Sequence, residues 1–190
     1  MKRLFLFLVA TSLSLATFAQ TKWTTDPAHS FVNFSVKHSG ISFVDGSFKK
    51  FSGEIVASKP DLTDAKINFT VEASSIYTGV DMRDNHLKSD DFFNAEKFPT
   101  LKFVSTSFKK LSGDKYRLTG KLTIRDVTKE VTFAVVYGGT AKDQQGNTKV
   151  GFLATTTINR LDYNVKYDPT GAGIGKDVNI TLNLQFAQAK

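Results

Sequence analysis

Residues 178–186 read V-N-I-T-L-N-L-Q-F, a stretch in which apolar and polar side chains alternate without a break. Successive side chains of a β-strand point to opposite faces, so the apolar residues of this stretch share one face and the polar residues share the other. Such a strand covers an apolar interior with one face and meets water with the other. Similar alternation recurs along most of the chain, which makes the protein all-β.

Seven further segments alternate in the same way and predict strands. Glycine-containing turns at Gly113-Asp114 and Gly146-Asn147 indicate hairpins, and Gly46 is interpreted as the turn before one strand. Roughly eight to ten antiparallel strands result, and a closed barrel of about eight strands can hold one small ligand. From the residues alone, the fold is a barrel or a sandwich. The predicted segments are 30–38, 51–57, 65–73, 100–108, 116–124, 131–137 and 149–158.

Residues 80–93 interrupt the alternation. Met82, His86 and Leu87 fall near helical spacing, so we expect one or two short helices over an edge or opening of the sheet. The G-A-G-I-G segment at 171–175 predicts a flexible loop before the final strand. We find neither an internal repeat nor a linker, and therefore expect a single domain.

The first 19 residues have the pattern of a signal peptide. Lys2 and Arg3 precede an apolar run over 4–15, and Thr17-Phe18-Ala19 places small residues where signal peptidase cleaves. The run is too short for a comfortable transmembrane helix. We therefore expect cleavage near Ala19, a mature domain of residues 20–190 and a periplasmic or secreted location.

The composition narrows the classes of function. The chain has no cysteine, which excludes disulfides, thiolate metal sites and cysteine nucleophiles. Its net charge is +7, but the lysines are dispersed along strands and turns, which is not the pattern of a nucleic-acid site. This charge is compatible with transient contact with an anionic membrane surface. Fourteen of the 17 phenylalanines follow residue 19, enough to pack a core and also line a cavity.

Candidate catalytic and metal-binding residues are few. His29, His38 and His86 lie on different predicted elements without the spacing of a metal site, so structural roles are favoured. Asp26, His29 and Ser30 form no triad if the segment is extended, because adjacent side chains then point to opposite faces. Asp26 is instead expected to accept hydrogen bonds from nearby backbone amides. A histidine- or metal-dependent enzyme acting on a hydrophobic substrate remains an alternative function.

Two arginines allow two interpretations each. Arg83 and His86 lie three residues apart on one face of the predicted helix. They could meet a ligand head group, or Arg83 could form an ion pair that fixes the helix to the barrel. The same two interpretations apply to Arg160 and Asp162 in the I-N-R-L-D-Y-N segment.

Several motifs, taken together, resemble the YceI-like family of exported lipid-binding proteins. The resemblance covers nearly all of the chain after residue 19, in one order. The chain departs from the family pattern at Asp126, where family members usually carry glycine, and at Asn164, where they often do. The matching motifs are D-P-A-H-S-F-V-N-F-S-V-K-H (26–38), G-S-F-K-K-F-S-G-E (46–54), S-I-Y-T-G (75–79), R-D-N-H-L-K-S-D-D-F-F (83–93), F-P-T-L-K-F-V-S (98–105), G-K-L-T-I-R-D-V-T-K-E-V (120–131), Gly151-Phe152 and I-N-R-L-D-Y (158–163).

The resemblance implies a single antiparallel lipocalin-like β-barrel that carries or stores a long-chain lipid. Such a lipid is a polyisoprenoid or an isoprenoid quinone, bound non-covalently, and neither a cofactor nor catalysis is expected. A homodimer is plausible for the family, and a stress-related interaction protein with a structural barrel is a further alternative. The candidate lumen residues are Phe34, Val36, Ile67, Phe69, Phe103, Leu122, Phe133 and Phe152; His38, Arg83, His86 and Arg160 are candidates for polar contacts near an opening; Met82, Leu87 and Phe93 are candidates to cap the cavity.

Overall fold

A computed structural model describes residues 20–189. The predicted signal peptide, residues 1–19, lies outside the described residues. The described chain forms strands, one α-helix and short 3-10 helices at Pro27–His29, Ala73–Ser75 and Arg160–Tyr163. The strands are β1 (Thr21–Thr25), β2 (Phe31–His38), β3 (Ser42–Phe48), β4 (Phe51–Ala57), β5 (Lys66–Glu72), β6 (Ile76–Tyr77), β7 (Thr100–Ser112), β8 (Lys115–Ile124), β9 (Val127–Lys142), β10 (Thr148–Asn159) and β11 (Ile174–Gln188); the helix is α1 (Asp81–Lys88).

These eleven strands close into an eight-stranded antiparallel barrel. The number is eight because three of the long barrel strands are each broken once into two shorter ones. The 3-10 helix at 27–29 separates β1 from β2, residues 49–50 separate β3 from β4, and the 3-10 helix at 73–75 separates β5 from β6. Both β1 and β2 pair with β11. β1 also pairs with β4, and β2 pairs with β3. In turn, β4 pairs with β5, and β3 pairs with β6. Pairing of β1 with β11 closes the ring.

Strand β11 shows how the alternation is used. It pairs with β10 from Asn159–Asp177 to Lys149–Ala187 and with β2 or β1 on its other side. Its alternating apolar residues, from Val178 to Phe186, all face the barrel interior. Among the outward residues, Asn179 accepts a 2.8 Å hydrogen bond from Thr157 Oγ1. The predicted division of this strand into an inner and an outer face is therefore confirmed.

Three strands and one turn differ from the sequence prediction. β1, β3 and β6 were not expected, and Gly46 lies inside β3 instead of in a turn. β1 carries a single buried side chain, Trp23, and β3 contains aspartate and glycine, which are depleted in strands. These strands form because neighbouring strands supply hydrogen-bond partners, on both sides for β1 and β3 and on one side for β6. The hairpin turns near Gly113 and Gly146 are confirmed by the flanking pairs.

Helix α1 lies in the predicted interruption, between β6 and β7. Asp81 and Asp84 occupy its first turn and Lys88 its last, an arrangement that complements the helix dipole. The buried Asp84 carboxylate accepts hydrogen bonds from the Thr78 amide (2.8 Å) and hydroxyl (2.6 Å), which fixes the helix to the preceding chain. Within residues 20–189, no helix combines the length and the apolar character needed to span a lipid bilayer.

The loop before β11 differs from the expected flexible segment. Ile174 and Gly175 belong to β11 itself. The Asp168 carboxylate accepts hydrogen bonds from the amides of Gly173 (2.7 Å) and Ile174 (2.8 Å) and from the Thr170 hydroxyl (2.6 Å). These hydrogen bonds hold the pKa of Asp168 well below its usual range, so the carboxylate is ionised and ties the loop together.

Candidate functional site

The barrel encloses a cavity of about 730 Å³, lined by inward-facing residues of most strands and by α1. Its volume falls within the roughly 300–1,000 Å³ of sites that bind small organic ligands. Most of the wall is apolar, with phenylalanine, leucine, isoleucine and valine side chains. The polar or charged residues on the wall are Asn33, Lys37, His38, Thr78, Arg83, His86, Lys102, Arg160, Tyr163 and Tyr167.

One end of the cavity is filled by aromatic side chains, and we call it the packed end. The Phe108 and Tyr116 rings stack with their centroids 4.9 Å apart, and Tyr137 lies 5.6 Å from Phe152. Phe152 also lies 6.3 Å from Phe108 and 6.1 Å from Phe186, so the rings form a continuous layer over β7 to β11. Aromatic pairs at these separations are favourable beyond the area that they bury. These contacts define the packed end.

The opposite end opens to solvent beside α1, and we call it the mouth. Met82 lines the cavity yet is 81% exposed, and Tyr167 lines it and is also exposed. Ile41, at the tip of the β2–β3 hairpin, is 90% exposed, and Phe43 is 58% exposed. The hairpin adjoins the mouth because Ser39 N donates to Gly173 O and His38 pairs with Ile174. The mouth is therefore rimmed by exposed apolar side chains.

All eight predicted lumen residues line this one cavity, although they come from six different strands. Phe69 and Phe103 are directly opposite on β5 and β7, and the Phe103 and Phe133 rings lie 5.5 Å apart. The three predicted capping residues, Met82, Leu87 and Phe93, line it as well. The structure thus places these side chains together, and their contact with a ligand stays a prediction. The eight are Phe34, Val36, Ile67, Phe69, Phe103, Leu122, Phe133 and Phe152.

The predicted polar residues on and near α1 also line the cavity. His38 lies at the end of β2. His86 Nε2 lies 2.8 Å from Asp91 Oδ2, and its ring packs edge-on against Tyr167. Arg83 donates from Nε to Thr78 Oγ1 (2.7 Å) and from Nη2 to Thr78 O (2.9 Å). Arg83 therefore fixes the helix through hydrogen bonds to Thr78, and the ion pair offered as one interpretation is absent from residues 20–189.

Arg160 is buried, and its guanidinium holds the mouth together. All five of its N–H groups donate to backbone carbonyl oxygens at 2.5–2.9 Å. An arginine has five N–H donors, so none remains for a ligand head group. Arg160 is therefore a structural residue of the loop and not the ligand contact that the sequence suggested. The accepting carbonyls belong to Val165, Tyr167, Asp168, Ile174 and Gly175.

Asp162 is not the ion-pair partner of this arginine. Its carboxylate lies 3.5 Å from Lys129 Nζ on the exposed outer surface. Burial lowers the pKa of Arg160, whereas the nearby Asp168 raises it. Backbone carbonyl oxygens, and not a carboxylate, are the main partners of the positive charge of Arg160. The sequence motif does not show such partners, because every residue has a backbone carbonyl.

Arg125 is a second structural arginine, one that the sequence analysis missed. Its Nη1 donates to the carbonyl oxygens of Asp90 (2.8 Å), Phe92 (2.8 Å) and Asn164 (3.0 Å). Its Nη2 lies 2.7 Å from Asp90 Oδ1. Arg125 thereby joins the segment after α1 to the segment after β10. Its partners lie more than 30 residues away, and the sequence carries no signal for them.

The two departures from the family pattern contact each other. Asn164 Nδ2 donates to Asp126 Oδ1 at 3.0 Å, and this hydrogen bond holds the pKa of Asp126 below its usual value. Asn164 has a left-handed backbone with φ of 60°, a conformation that asparagine adopts more readily than most residues other than glycine. The turn expected from a glycine is therefore preserved by asparagine.

Tyr163 is a further wall residue that the sequence analysis did not select. It is 2% exposed and lines the cavity, and burial raises its pKa. Tyr163 lies in a 3-10 helix after the end of β10, so the alternation used to select inward-facing residues does not reach it. Its ring adds apolar wall near the mouth.

The structure gives the histidines and Asp26 structural partners. Asp26 Oδ1 accepts a hydrogen bond from the Ala28 amide at 3.1 Å, as predicted for a local turn. Ser30 Oγ donates to Gln185 O and not to His29, so no nucleophile–base pair forms there. Residues 20–189 contain no group of three or more histidine, aspartate and glutamate side chains placed to hold a metal ion.

Comparison with known proteins gives one consistent result. A family model described as the YceI-like domain matches residues 23–186. Protein YceI of Escherichia coli O6:H1 is 36% identical over 179 residues, which is 94% of this chain and 92% of that protein. The match to the family model extends from β1 to β11 and therefore includes the whole barrel.

Solved structures show the same architecture. The crystal structure of BcnA from Burkholderia cenocepacia superposes with a TM-score of 0.77 at 26% identity, covering 85% of this chain and 98% of that one. A structure described as a polyisoprenoid binding domain from Saccharophagus degradans superposes with a TM-score of 0.69 at 14% identity, covering 88% and 98%. At 14% identity, the similarity to the second structure shows a shared fold only.

Proposed function

Because this chain belongs to the YceI-like family, we propose that it holds a long-chain apolar lipid in the barrel lumen. The observation that carries the proposal is the cavity, which is apolar along its wall, filled with aromatic rings at one end and open at the other. This shape fits an extended chain that enters through the mouth. The wall formed by the described residues is mostly apolar, and the role that we propose is binding, for carriage or storage.

The energetics favour a long apolar chain. Burial of hydrocarbon contributes about 0.8 kcal/mol per CH₂ group. At roughly 30 Å³ for each non-hydrogen atom, comparable with a water molecule in the liquid, the 730 Å³ cavity accommodates about 25 such atoms. Fifteen buried CH₂ groups would contribute roughly 12 kcal/mol before the costs of ordering the chain. An apolar wall achieves this without matched hydrogen bonds.

A polyisoprenoid or an isoprenoid quinone is the ligand class that we favour. One protein with the same fold is described as a polyisoprenoid binding domain, which supports this class. A polar end group of such a lipid would lie at the mouth, where Arg83, His86 and His38 line the cavity. A free polyprenyl chain is insoluble, and the barrel would keep it out of water.

The proposed compartment is the periplasm or the exterior of the cell. The support is the signal-peptide pattern of residues 1–19. Expression of the full chain followed by cell fractionation and N-terminal sequencing tests this. Processing at Ala19 and recovery in the periplasmic fraction are expected, and an unprocessed cytoplasmic product would contradict the assignment.

A lipid carrier must also meet the membrane that supplies its ligand. The exposed apolar residues Ile41, Phe43 and Met82 rim the mouth, and the chain carries net positive charge. We therefore expect brief contact of the mouth with an anionic bilayer, which co-flotation with anionic vesicles measures. The homodimer suggested by the family stays a prediction, for which sedimentation equilibrium is the measurement.

The binding proposal is tested by extracting the freshly purified mature protein with organic solvent and analysing the extract by mass spectrometry. A stoichiometric long-chain isoprenoid or quinone is expected. A carboxylate in the lumen should abolish retention, because an unpaired charge in an apolar cavity is costly. The variants are Phe69→Asp and Phe133→Asp, whose side chains line the cavity.

Asn68→Asp is the matched control, since Asn68 precedes Phe69 on β5 and faces outward. This variant should retain lipid like the wild type. Folding of each variant is checked by circular dichroism. Well-folded Phe69→Asp and Phe133→Asp proteins that still retain lipid would reject the assignment of these residues. A lipid-free extract from folded wild-type protein would reject the proposed function itself.

A further inference from the structure

Phenylalanine rings lie over glycines on the inner wall of the barrel. Phe34 on β2 is directly opposite Gly46 on β3, and Phe69 on β5 is directly opposite Gly53 on β4. Directly opposed residues of an antiparallel pair have their side chains side by side on the same face. Both rings line the cavity, so both pairs belong to its wall.

A third pair repeats the arrangement on β7 and β8, next to β5 in the barrel. Gly120 on β8 is opposite Ser105, and the ring of Phe103, two residues along β7, reaches over it diagonally. Phe103 also lines the cavity. A diagonal neighbour is within reach of an aromatic side chain. Three glycine–phenylalanine pairs are thus distributed over the β2–β3, β4–β5 and β7–β8 hydrogen-bonded strand pairs.

Each ring occupies the space that a side chain on its glycine would need. A Cβ added at Gly46 would lie 2.7 and 2.9 Å from Cε1 and Cε2 of Phe34, with Cζ closer still. A Cβ at Gly53 would lie 2.7 Å from Cε2 of Phe69, and one at Gly120 would lie 2.7 Å from Cε2 of Phe103. These separations are far inside van der Waals contact, so each ring can rest against the wall only because its partner is glycine.

The consequence is geometric. A side chain at any of these glycines would displace the ring, and the interior is the side on which free space lies. The displaced ring would narrow the lumen at that level. None of the three glycines has a positive φ, so the glycine is not required by the backbone conformation. What the position requires is the absence of a side chain beneath the ring.

We propose that these three glycine–phenylalanine pairs set the width of the lumen and select methyl-branched chains over straight ones. The inference rests on the proposed lipid-binding function. A polyprenyl chain carries a methyl branch on every repeat and is wider than a straight acyl chain, so it needs the extra width. A narrower lumen would still admit a straight chain. Packed interiors respond to the addition of a single methylene, which makes one methyl group a sufficient perturbation.

Gly46→Ala is the cleanest test of the three. The three nearest atoms to its added Cβ all belong to the Phe34 ring. At Gly53 the Cβ would also meet Thr25 Oγ1 at 2.6 Å, and at Gly120 it would meet the Val104 carbonyl oxygen at 2.5 Å. Gly151→Ala is the matched control, because a Cβ there has nothing within 4 Å and Gly151 also lies in a strand without positive φ.

The experiment measures binding of two probes by delipidated protein, a prenyl alcohol and a straight-chain alcohol with the same number of carbons. Displacement of a fluorescent lipid reports both dissociation constants. Gly46→Ala should weaken binding of the prenyl alcohol roughly tenfold, or about 1.4 kcal/mol, and leave the straight-chain alcohol nearly unchanged. Gly151→Ala should bind both probes like the wild type.

A second substitution separates width from simple destabilisation. In the double variant Gly46→Ala/Phe34→Leu the ring that was pushed inward is absent, so prenyl binding should recover. Phe34→Leu alone, which leaves Gly46 intact, should shift the preference further toward the prenyl alcohol. This single variant decides the matter if Gly46→Ala does not fold. If the pair had a purely structural role, every variant would weaken the binding of both alcohols by the same factor.

The outcomes distinguish this inference from the function on which it rests. If wild-type protein binds neither probe, the proposed function fails and this inference fails with it. If the wild type binds the prenyl alcohol and Gly46→Ala keeps the wild-type ratio of the two dissociation constants, the proposed function stands and the role of the pairs is rejected. Failure of Phe34→Leu to change that ratio rejects it as well.

Discussion

At the packed end of the barrel aromatic side chains fill the interior, whereas at the mouth charged side chains hold loops in place. The packed end combines the rings of Phe108, Tyr116, Phe152 and Phe186 with the buried Trp23. The mouth depends on Arg160, Arg125 and Asp168, whose hydrogen bonds go largely to the backbone. One end is therefore stabilised by burial of apolar area, the other by hydrogen bonds to charged groups.

This difference suits a barrel that must be closed at one end and accessible at the other. The aromatic rings at the packed end fill the barrel interior with apolar surface. Filling the mouth in the same way would close the cavity. Charged side chains that bond to backbone can fix the surrounding loops at the edge of the opening without occupying it. Apolar burial therefore fills one end of the barrel, and hydrogen bonds of charged side chains stabilise the loops around the open end.

The largest effect is expected at the packed end. Phe186 is 1% exposed and joins the aromatic layer, so Phe186→Ala should lower the free energy of unfolding by about 3–5 kcal/mol through lost transfer energy and the cavity left behind. Phe43→Ala is the control, because Phe43 is exposed at the rim of the mouth. Its cost should be at most about 0.5 kcal/mol. Urea unfolding measures both, and equal costs would remove the distinction between the two ends.

The next effect is expected at the mouth. Arg160→Lys replaces five directed donors by three on a flexible stem, and several buried carbonyls lose their partner. We expect a loss of about 2–4 kcal/mol in the free energy of unfolding and faster proteolytic cleavage between residues 165 and 175. The cleavage assay asks whether the loop, and not the whole barrel, has become mobile.

Arg117→Lys is the control for this substitution. Arg117 is exposed on β8, and its side chain has no hydrogen bond to residues 20–189. This variant should change neither the stability nor the cleavage pattern. An Arg160→Lys protein that resists cleavage like the wild type would show that other contacts, such as those of Asp168, suffice to hold the loop.

The same comparison explains which parts of the structure the sequence predicted. The eight lumen residues follow from alternation, because a period of two assigns each side chain to a face before the partner strand is known. The role of Arg160 does not follow, since its partners are carbonyl oxygens on a loop whose path is itself set by Arg160. Gly46 was interpreted as a turn because its actual role, beneath the Phe34 ring, depends on the register of β2 and β3. The face that a strand residue occupies can be predicted from the local sequence, whereas its hydrogen-bond partners and the strand register depend on residues far away in the chain.

The smallest effect tests whether charge also contributes at the packed end. Asp26 Oδ2 accepts hydrogen bonds from Lys149 Nζ (2.8 Å) and Gln185 Nε2 (3.1 Å), which ties the break between β1 and β2 to β10 and β11. The hydrogen bond from Lys149 is the main cause that lowers the pKa of Asp26 from 3.8 to about 2, and His29 adds to it. Because the folded pKa is the lower one, the stabilisation is fully present above pH 3.8 and is lost as the pH falls toward 2.

Asp26→Asn should therefore cost about 1 kcal/mol at pH 7, and the difference from the wild type should shrink between about pH 4 and pH 2. Urea unfolding of both proteins at pH 7, 4 and 2.5 measures it. Asp45→Asn is the control, because Asp45 is exposed on β3 and its carboxylate has no hydrogen bond to residues 20–189. A difference between wild type and Asp26→Asn that stays constant to pH 2.5 would mean that the charge of Asp26 contributes nothing. The packed end would then be stabilised by apolar burial alone, which would make the contrast with the mouth complete.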